Sequence, residues 1–161
     1  MKLYHGSLEI VKTPEIRIPS RTLDYGDGFY TTTSYEQAEA WTLRRMKEER
    51  RTKGYLNTYE YLPEVSKGLN NIAFPAPTEE WLDFVMRNRT EKGFRHDFDI
   101  VYGPVANDRV YAAFALYEGG VLGKKDLIAE LKAYKLVDQY LFHTEAALKT
   151  LVFVEAKEVT L

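Results

Sequence analysis

Apolar and polar residues alternate along several short stretches of the chain, which is the spacing of a strand with one buried face. Aromatic and β-branched residues are frequent in the same stretches. The pattern predicts strands over 2–5, 29–33, 56–62, 98–105, 139–142 and 151–161. We expect Gly6-Ser7 to turn the chain after the first strand and Gly103-Pro104 to break the fourth.

Between these strands, apolar residues recur every three or four positions behind residues that cap helices. The predicted helices cover 34 to about 47–51, 78–89, 109–117, 126–134 and a short segment after 144. Their expected first residues are Ser34, Thr78, Asn107 or Asp108, Asp126 and Thr144. Ser34 and Gln37 have the spacing of a capping box, and Gly54 is expected to end that helix. Pro14 and Pro19 bracket an extended connection.

Strands interleaved with capped helices, without a glycine-rich dinucleotide-binding unit or an internal repeat, indicate an α+β fold. We expect one domain over residues 1–161, with a mixed or antiparallel sheet core and flanking helices. The apolar content of 45% is enough for a substantial core.

Charge and cysteine content exclude several classes of function. A net charge of -2 gives no overall basic field of the kind that marks a dedicated nucleic-acid binder. The absence of cysteine excludes disulfides, thiolate metal sites and a cysteine nucleophile, and fits a reducing cytosol. No signal peptide or membrane-spanning run is evident, so we expect a cytoplasmic protein without membrane contact.

The three histidines are the first candidates for chemistry. His96 lies in the charged segment EKGFRHD and is interpreted as a solvated surface residue. His143 is expected at a strand end. His5 precedes Gly6, where a backbone open to close approach makes a structural and a functional role equally acceptable. No two histidines have metal-ligand spacing, so no metal site is predicted.

The segment DYGDGFY, residues 24–30, combines two glycines with two tyrosines just before the first helix. A tight glycine turn would present backbone N–H groups to a phosphate, although such a turn is also common without a ligand. Tyr30 and Trp41 would offer flat surfaces to a ring, or belong to the core. A ligand with phosphates and a flat ring would explain both features.

In order along the chain, LYHGS, DYGDGFYTTTSYEQAEAW and DQYLFH resemble the three signature segments of the ADP-ribosyltransferase superfamily. The similarity is to its His-Tyr-Glu branch, which includes the poly-ADP-ribose polymerases and diphtheria toxin. FDIVYGPVANDRVY and DQYLFHT also resemble a bacterial family of small toxin-like domains. The resemblance implies a split sheet core that binds NAD as a co-substrate, without a metal.

The resemblance also assigns roles to the residues of the first motif. It implies that His5 hydrogen-bonds a ribose hydroxyl of NAD and that the backbone of Gly6 holds the nicotinamide carboxamide. Ser7 of this motif also belongs to the cofactor-binding residues. So does Gly28 of the second motif, which is expected to shape the edge of the pocket.

The second and third motifs supply the remaining catalytic positions. The resemblance implies that the rings of Tyr30 and Trp41 enclose the nicotinamide. Gln139 stands where the family has its catalytic glutamate, and an amide accepts the same hydrogen bond without a negative charge. Asp138 is expected on the opposite face of that strand.

Three residues of the segment FDIVYGPVANDRVY are further candidates: Asp99, Asp108 and Arg109. Asp108 is either a helix cap or an active-site residue, and Arg109 would bind a substrate phosphate or a diphosphate.

The resemblance therefore predicts a mono-ADP-ribosyltransferase that modifies a protein or a nucleic acid, in the setting of a bacterial toxin with a cognate antitoxin. The alternative is a non-catalytic module that binds NAD, ADP-ribose or a partner protein, because Gln139 replaces the charged residue. An RNA-acting phosphotransferase is less compatible, since basic residues are sparse near these motifs.

Overall fold

The computed structural model describes residues 1–17, 23–105, 108–134 and 136–161, so Pro19 and Asn107 lie outside the described residues. Within them, the strands are β1 Lys2–Ser7, β2 Phe29–Thr31, β3 Lys53–Tyr61, β4 Asn71–Ala73, β5 Ile100–Pro104, β6 Asp138–Phe142 and β7 Leu151–Thr160. The α-helices are α1 Tyr35–Glu48, α2 Glu79–Thr90, α3 Asp108–Glu118, α4 Lys124–Ala133 and α5 Glu145–Leu148. A 3-10 turn covers Val65–Gly68.

The strands form two sheets. Sheet A has the antiparallel order β1-β3-β7, and sheet B has the order β2-β6-β5-β4, with only β4 and β5 parallel. In the described part of the chain, one isolated bridge links the sheets, in which Tyr4 and Thr32 exchange backbone hydrogen bonds of 2.8 and 3.0 Å. The predicted α+β fold with a mixed sheet core is confirmed.

Apolar side chains fill three layers around these sheets. One cluster lies between the sheets and includes Leu3, Phe29, Tyr59, Ile100, Phe142 and Leu148. A smaller one lies between sheet A and α1 and includes Ala38, Met46, Leu56 and Val159. The third lies between sheet B and the helices α2, α3 and α4, and includes Trp81, Val101, Val110, Phe114, Leu127 and Leu141. Each sheet therefore carries apolar packing on both faces, although most residues of β7 stay exposed or half-buried.

Two glycines let α1 approach sheet A closely. A Cβ on Gly6 would lie 2.5 Å from the carbonyl oxygen of Ala38 and would collide with the Thr42 hydroxyl. A Cβ on Gly54 would lie 2.5 Å from Cγ2 of Thr42. Gly54 therefore belongs to β3, where close packing requires it, and its predicted role as a helix stop is wrong.

Other element boundaries also differ from the sequence prediction. β1 continues through Gly6 and Ser7 instead of turning there, because both residues pair with β3. β5 continues through Gly103-Pro104, where the Tyr25 hydroxyl fills the space of the missing Cβ. α4 begins two residues before Asp126, while Ser34, Thr78 and Thr144 cap their helices as predicted.

Strand β7 contains an irregularity. Thr58 pairs with Glu155 but the next residue of β3, Tyr59, pairs with Phe153, so Val154 is an extra residue. This β-bulge changes the alternation of faces half-way along β7.

The described part of the chain contains no helix with the length and apolar character needed to cross a membrane.

Gly28 tests how far the glycines determine this fold. Its φ of 144° is one that residues with a side chain rarely adopt. A Cβ at this position would lie 2.5 Å from the carbonyl oxygen of Phe142 on β6. We expect Gly28→Ala to lower the free energy of unfolding by roughly 2–4 kcal/mol in urea titrations. Gly68→Ala is the control, because no atom lies within 4 Å of its Cβ position. Equal stability of the two variants would contradict the close approach at Gly28.

Candidate functional site

The two sheets separate at Gly6. Backbone groups of the odd-numbered residues of β1 face β3, in line with the 2.8 Å bond from the Tyr61 N–H to the carbonyl oxygen of Met1. Even-numbered residues face the other way, and Tyr4 uses this direction to pair with Thr32. The ladder ends at that bridge. The N–H and C=O of Gly6 therefore face the gap between β1 and β2, with no hydrogen-bond partner among the described residues.

His5 lies beside this gap on the inter-sheet face. Its Nδ1–H donates to the Tyr30 carbonyl oxygen at 2.7 Å, since a carbonyl can only accept, and its ring centroid lies 4.2 Å from that of Phe29. Burial lowers the pKa of His5 to about 4, the Tyr30 bond acts against this shift, and the charge of Arg17 adds to it. At pH 7 the ring is neutral and Nε2 is a hydrogen-bond acceptor.

Tyr30 connects β2 to the loop that precedes it. Its hydroxyl donates to the Gly26 carbonyl oxygen at 2.6 Å and accepts from the Tyr25 N–H at 3.2 Å. Burial raises the pKa of Tyr30 well above its usual value, so the hydroxyl keeps its proton. The hydroxyl is used to shape the loop, and the ring packs, partly buried, against the apolar cluster between sheet B and the helices.

Trp41 lies on α1 between Ala38 and Thr42, the two residues that pack against Gly6 of β1. The Trp41 side chain is 37% exposed, and the guanidinium carbon of Arg44 lies 5.9 Å from the ring centroid. An exposed indole on this helix offers a flat surface to a ring.

Side chains hold the DYGDG loop, residues 24–28, by donating to three successive carbonyl oxygens. The bonds run from His96 Nε2 to Tyr25 O at 2.7 Å, from Tyr30 Oη to Gly26 O at 2.6 Å, and from His143 Nδ1 to Asp27 O at 2.6 Å. The loop conformation is therefore specified by contacts with the protein itself. These contacts account for the loop without a phosphate.

His96 is a correction to the sequence interpretation. It is only 8% exposed, so its prediction as a solvated surface residue is wrong. Nδ1 accepts from the Phe98 N–H at 3.1 Å, which fixes the neutral tautomer, and the His143 ring lies 4.2 Å away. Burial lowers the pKa of His96, and His143 acts in the same direction. The prediction failed because the charged neighbours in EKGFRHD indicate a surface segment, whereas the His96 side chain itself points inward.

Gln139 is buried in sheet B. It is 7% exposed, it pairs with Gly103 on β5, and its Nε2 donates to the Pro104 carbonyl oxygen at 3.4 Å. Asp138 points to the opposite face, as strand alternation predicts, and accepts from the Thr33 hydroxyl at 2.7 Å. The position of the family's glutamate thus holds an amide bonded within the core.

The residues predicted to bind a phosphate or diphosphate make other contacts. Asp99 accepts from the Thr144 hydroxyl at 2.6 Å and from the Asn70 N–H at 2.8 Å, which joins the starts of α5 and β4. The guanidinium carbon of Arg109 lies 4.0 Å from the ring centroid of Tyr134. Asp108 begins α3, and its side chain lies outside the described residues.

Six predicted residues surround the place where β1, β2 and α1 meet, which we call the sheet junction. They are His5, Gly6, Ser7, Gly28, Tyr30 and Trp41. Sequence reasoning missed Asn57 and Tyr59 of β3, which hold the chain that follows β1. Asn57 is fully buried. The sequence signal that could have identified it was a polar residue inside the predicted strand LNTYEYL.

Two clefts lie next to the DYGDG loop and the end of β1. One of about 440 Å³ lies between the loop and residues 88–96 and includes His143. The other, of about 390 Å³, is lined by residues between Glu9 and Arg17. Across the described ranges, no group of three His, Cys, Asp or Glu side chains is placed to hold a metal ion.

The fold and site define an α+β domain whose two sheets meet at the bridge between Tyr4 and Thr32. The chain belongs to the family described as a protein of unknown function (DUF3990), whose model matches residues 1–153. The match includes every residue of the sheet junction. No curated protein and no solved structure matches the chain.

The burial of His5 predicts a dependence of stability on pH. Below pH 6.5 the unfolded chain takes up a proton that the folded ring accepts only near pH 4, so acidification destabilises the fold between these values. We expect a loss on the order of 2 kcal/mol from His5, allowing for its partial exposure. His5→Asn keeps a donor near the position of Nδ1 but does not titrate. Urea unfolding near pH 7 and pH 4.5 should show a smaller loss for this variant, and parallel losses would contradict the assignment.

The two hydrogen bonds of His96 predict that it stabilises the loop. His96→Ala would leave the Tyr25 carbonyl and the Phe98 N–H without partners, and we expect a loss of about 2–4 kcal/mol in urea unfolding. Lys92→Ala changes an exposed residue of the same segment and should have little effect. A His96→Ala variant as stable as the Lys92→Ala variant would show that the loop is held by other contacts.

Proposed function

We propose that the protein is an NAD-dependent mono-ADP-ribosyltransferase that transfers ADP-ribose to a macromolecule, and that its two sheets correspond to the split core of that superfamily. The backbone edge of Gly6 at the sheet junction is the observation that supports this most strongly. An N–H and a C=O from one residue match the carbonyl and the amino group of a carboxamide. Recognition through the backbone would select nicotinamide by its shape and hydrogen-bonding pattern.

Neighbouring side chains suit the rest of the cofactor. The neutral His5 would accept a hydrogen bond from a ribose hydroxyl through Nε2, because Nδ1 is already bonded to the Tyr30 carbonyl. The exposed ring of Trp41 would stack on the nicotinamide, and such contacts contribute about 1 kcal/mol beyond the buried area. Ser7 is the last residue of β1 and Gly28 directly precedes β2, and both are assigned to the edges of the NAD site.

The reaction needs little covalent participation by the protein. When the bond between nicotinamide and ribose breaks, its electron pair stays with nicotinamide and neutralises the pyridinium charge. The ribose carbon then forms a bond to a nucleophilic atom of the acceptor, which loses a proton. The protein would contribute by holding both reactants in position.

Gln139 favours a second candidate, a non-catalytic NAD-binding or ADP-ribose-binding module. Its amide donates to the Pro104 carbonyl within the core, whereas a carboxylate at the reacting ribose would be worth roughly 10²–10³ in rate. An ADP-ribosyltransferase with this residue is therefore expected to be slow. A bacterial toxin function with a cognate antitoxin protein and a cytoplasmic location belongs to the first candidate, through the resemblance alone.

Transfer is tested with NAD that is labelled in its adenylate part. The purified protein is incubated with the separated protein, DNA and RNA fractions of a bacterial lysate, and released nicotinamide is measured in parallel. We expect label in one fraction, a loss of roughly 100-fold with His5→Ala, and NAD binding weakened roughly 3- to 10-fold by Trp41→Ala. Arg87→Gln on α2 is the control, since its side chain is exposed and paired with Glu91.

Binding of NAD without label transfer or nicotinamide release would favour the second candidate. Gln139→Ala separates the roles of the amide. Loss of turnover with an unchanged melting temperature would make it catalytic, while a lower melting temperature with unchanged turnover would make it structural.

A further inference from the structure

The chain that leaves β1 is held in place by two side chains of β3. The Asn57 amide accepts from the Val11 N–H at 2.8 Å and donates to the carbonyl oxygens of Glu9 and His5 at 3.2 and 3.3 Å. The Tyr59 hydroxyl donates to the carbonyl oxygen of Val11 at 2.5 Å. Asn57 and Tyr59 are both fully buried. These bonds fix the backbone conformation of the segment. Less conformational entropy would therefore be lost when a ligand binds to it.

Residues 9–17 line the open cleft of about 390 Å³, and this segment is called the β1 cradle below. Lys12 and Arg17 supply its positive charge, and Glu9 and Glu15 its negative charge. Arg17 lies 4.0 Å from the Glu9 carboxylate and 3.9 Å from that of Glu15. The Arg17 side chain is 73% exposed, and ion pairs that are so long and so exposed are weak.

The cradle lies next to the proposed NAD site. His5 and Gly6 are on β1, and the cradle begins two residues after the strand ends at Ser7. Val11 and Ile16 of the cradle pack against the same apolar cluster between the sheets as Phe29, whose ring centroid lies 4.2 Å from that of His5. The charge of Arg17 also acts on the His5 imidazole. We expect a ligand that reaches from Gly6 past His5 to continue toward the cradle.

We propose that the β1 cradle binds the diphosphate of the dinucleotide, with Arg17 and Lys12 as its cationic contacts. This inference rests on the proposed function. A diphosphate carries two negative charges, and the planar guanidinium matches two phosphate oxygens at once. The weak contacts of Arg17 with Glu9 and Glu15 would be exchanged for these bonds. Arg109, the candidate from the sequence, packs instead on Tyr134 of the helical layer.

Calorimetric titrations with NAD, ADP-ribose, inorganic pyrophosphate and nicotinamide test the assignment. Arg17→Gln and Lys12→Gln should each weaken binding of NAD and ADP-ribose about tenfold and leave binding of nicotinamide unchanged. Arg87→Gln is the matched control, an arginine that is 56% exposed and also paired with a glutamate. Pyrophosphate should bind weakly to the wild type and more weakly still to Arg17→Gln.

Equal binding of ADP-ribose by the wild type and by Arg17→Gln would overturn the inference, as would a wild type that does not bind ADP-ribose. The proposed transferase function is read separately, from nicotinamide release. If the wild type binds ADP-ribose, loses it with Arg17→Gln and releases no nicotinamide, the cradle is supported and transfer is not. Melting temperatures of the variants should equal that of the wild type, because Arg17 and Lys12 are exposed.

Discussion

The structure depends on the bridge between Tyr4 and Thr32, which is the one pairing that joins the two sheets within the described ranges. Two sheets that share one pair of residues must diverge on either side of it, and the direction of the backbone groups on β1 is already determined by pairing with β3. Gly6 is therefore left with hydrogen-bonding capacity that faces a gap. A longer ladder between β1 and β2 would satisfy these groups and remove the site. The proposed recognition of a carboxamide is thus a consequence of incomplete strand pairing.

Stability and site geometry are supplied by the same residues around this gap. The Tyr30 hydroxyl is used to hold Gly26, and the imidazole of His5 is used to hold Tyr30, so each group placed near a ligand is fixed by a bond to the chain. Such arrangements position side chains without waiting for the ligand. Gln139 shows the disadvantage of such an arrangement. Its amide is already bonded to the Pro104 carbonyl, and this bond would have to break before the amide could donate to a ligand.

Local signals in the sequence predicted much of the fold, because helix caps and strand alternation are short-range properties. Ser34 and Thr78 cap their helices through bonds that span three residues, and these are visible in the sequence itself. Gly54 and His96 were misread because their roles are set by contacts with distant residues: α1 packs on Gly54, and Tyr25 accepts from His96. The motif residues of the junction were found through resemblance. The cradle could not be predicted, because its conformation depends on Asn57 and Tyr59, which are distant in sequence.

The bulge at Val154 has a consequence for contacts between copies of the chain. β7 is the last strand of sheet A, and its outer edge would otherwise be a continuous template for another extended segment. The extra residue puts the outward N–H and C=O groups out of step on its two sides, so a straight strand could pair with only half of the edge at a time. One inserted residue thereby makes this long strand a poorer template for a shared sheet between two copies of the chain.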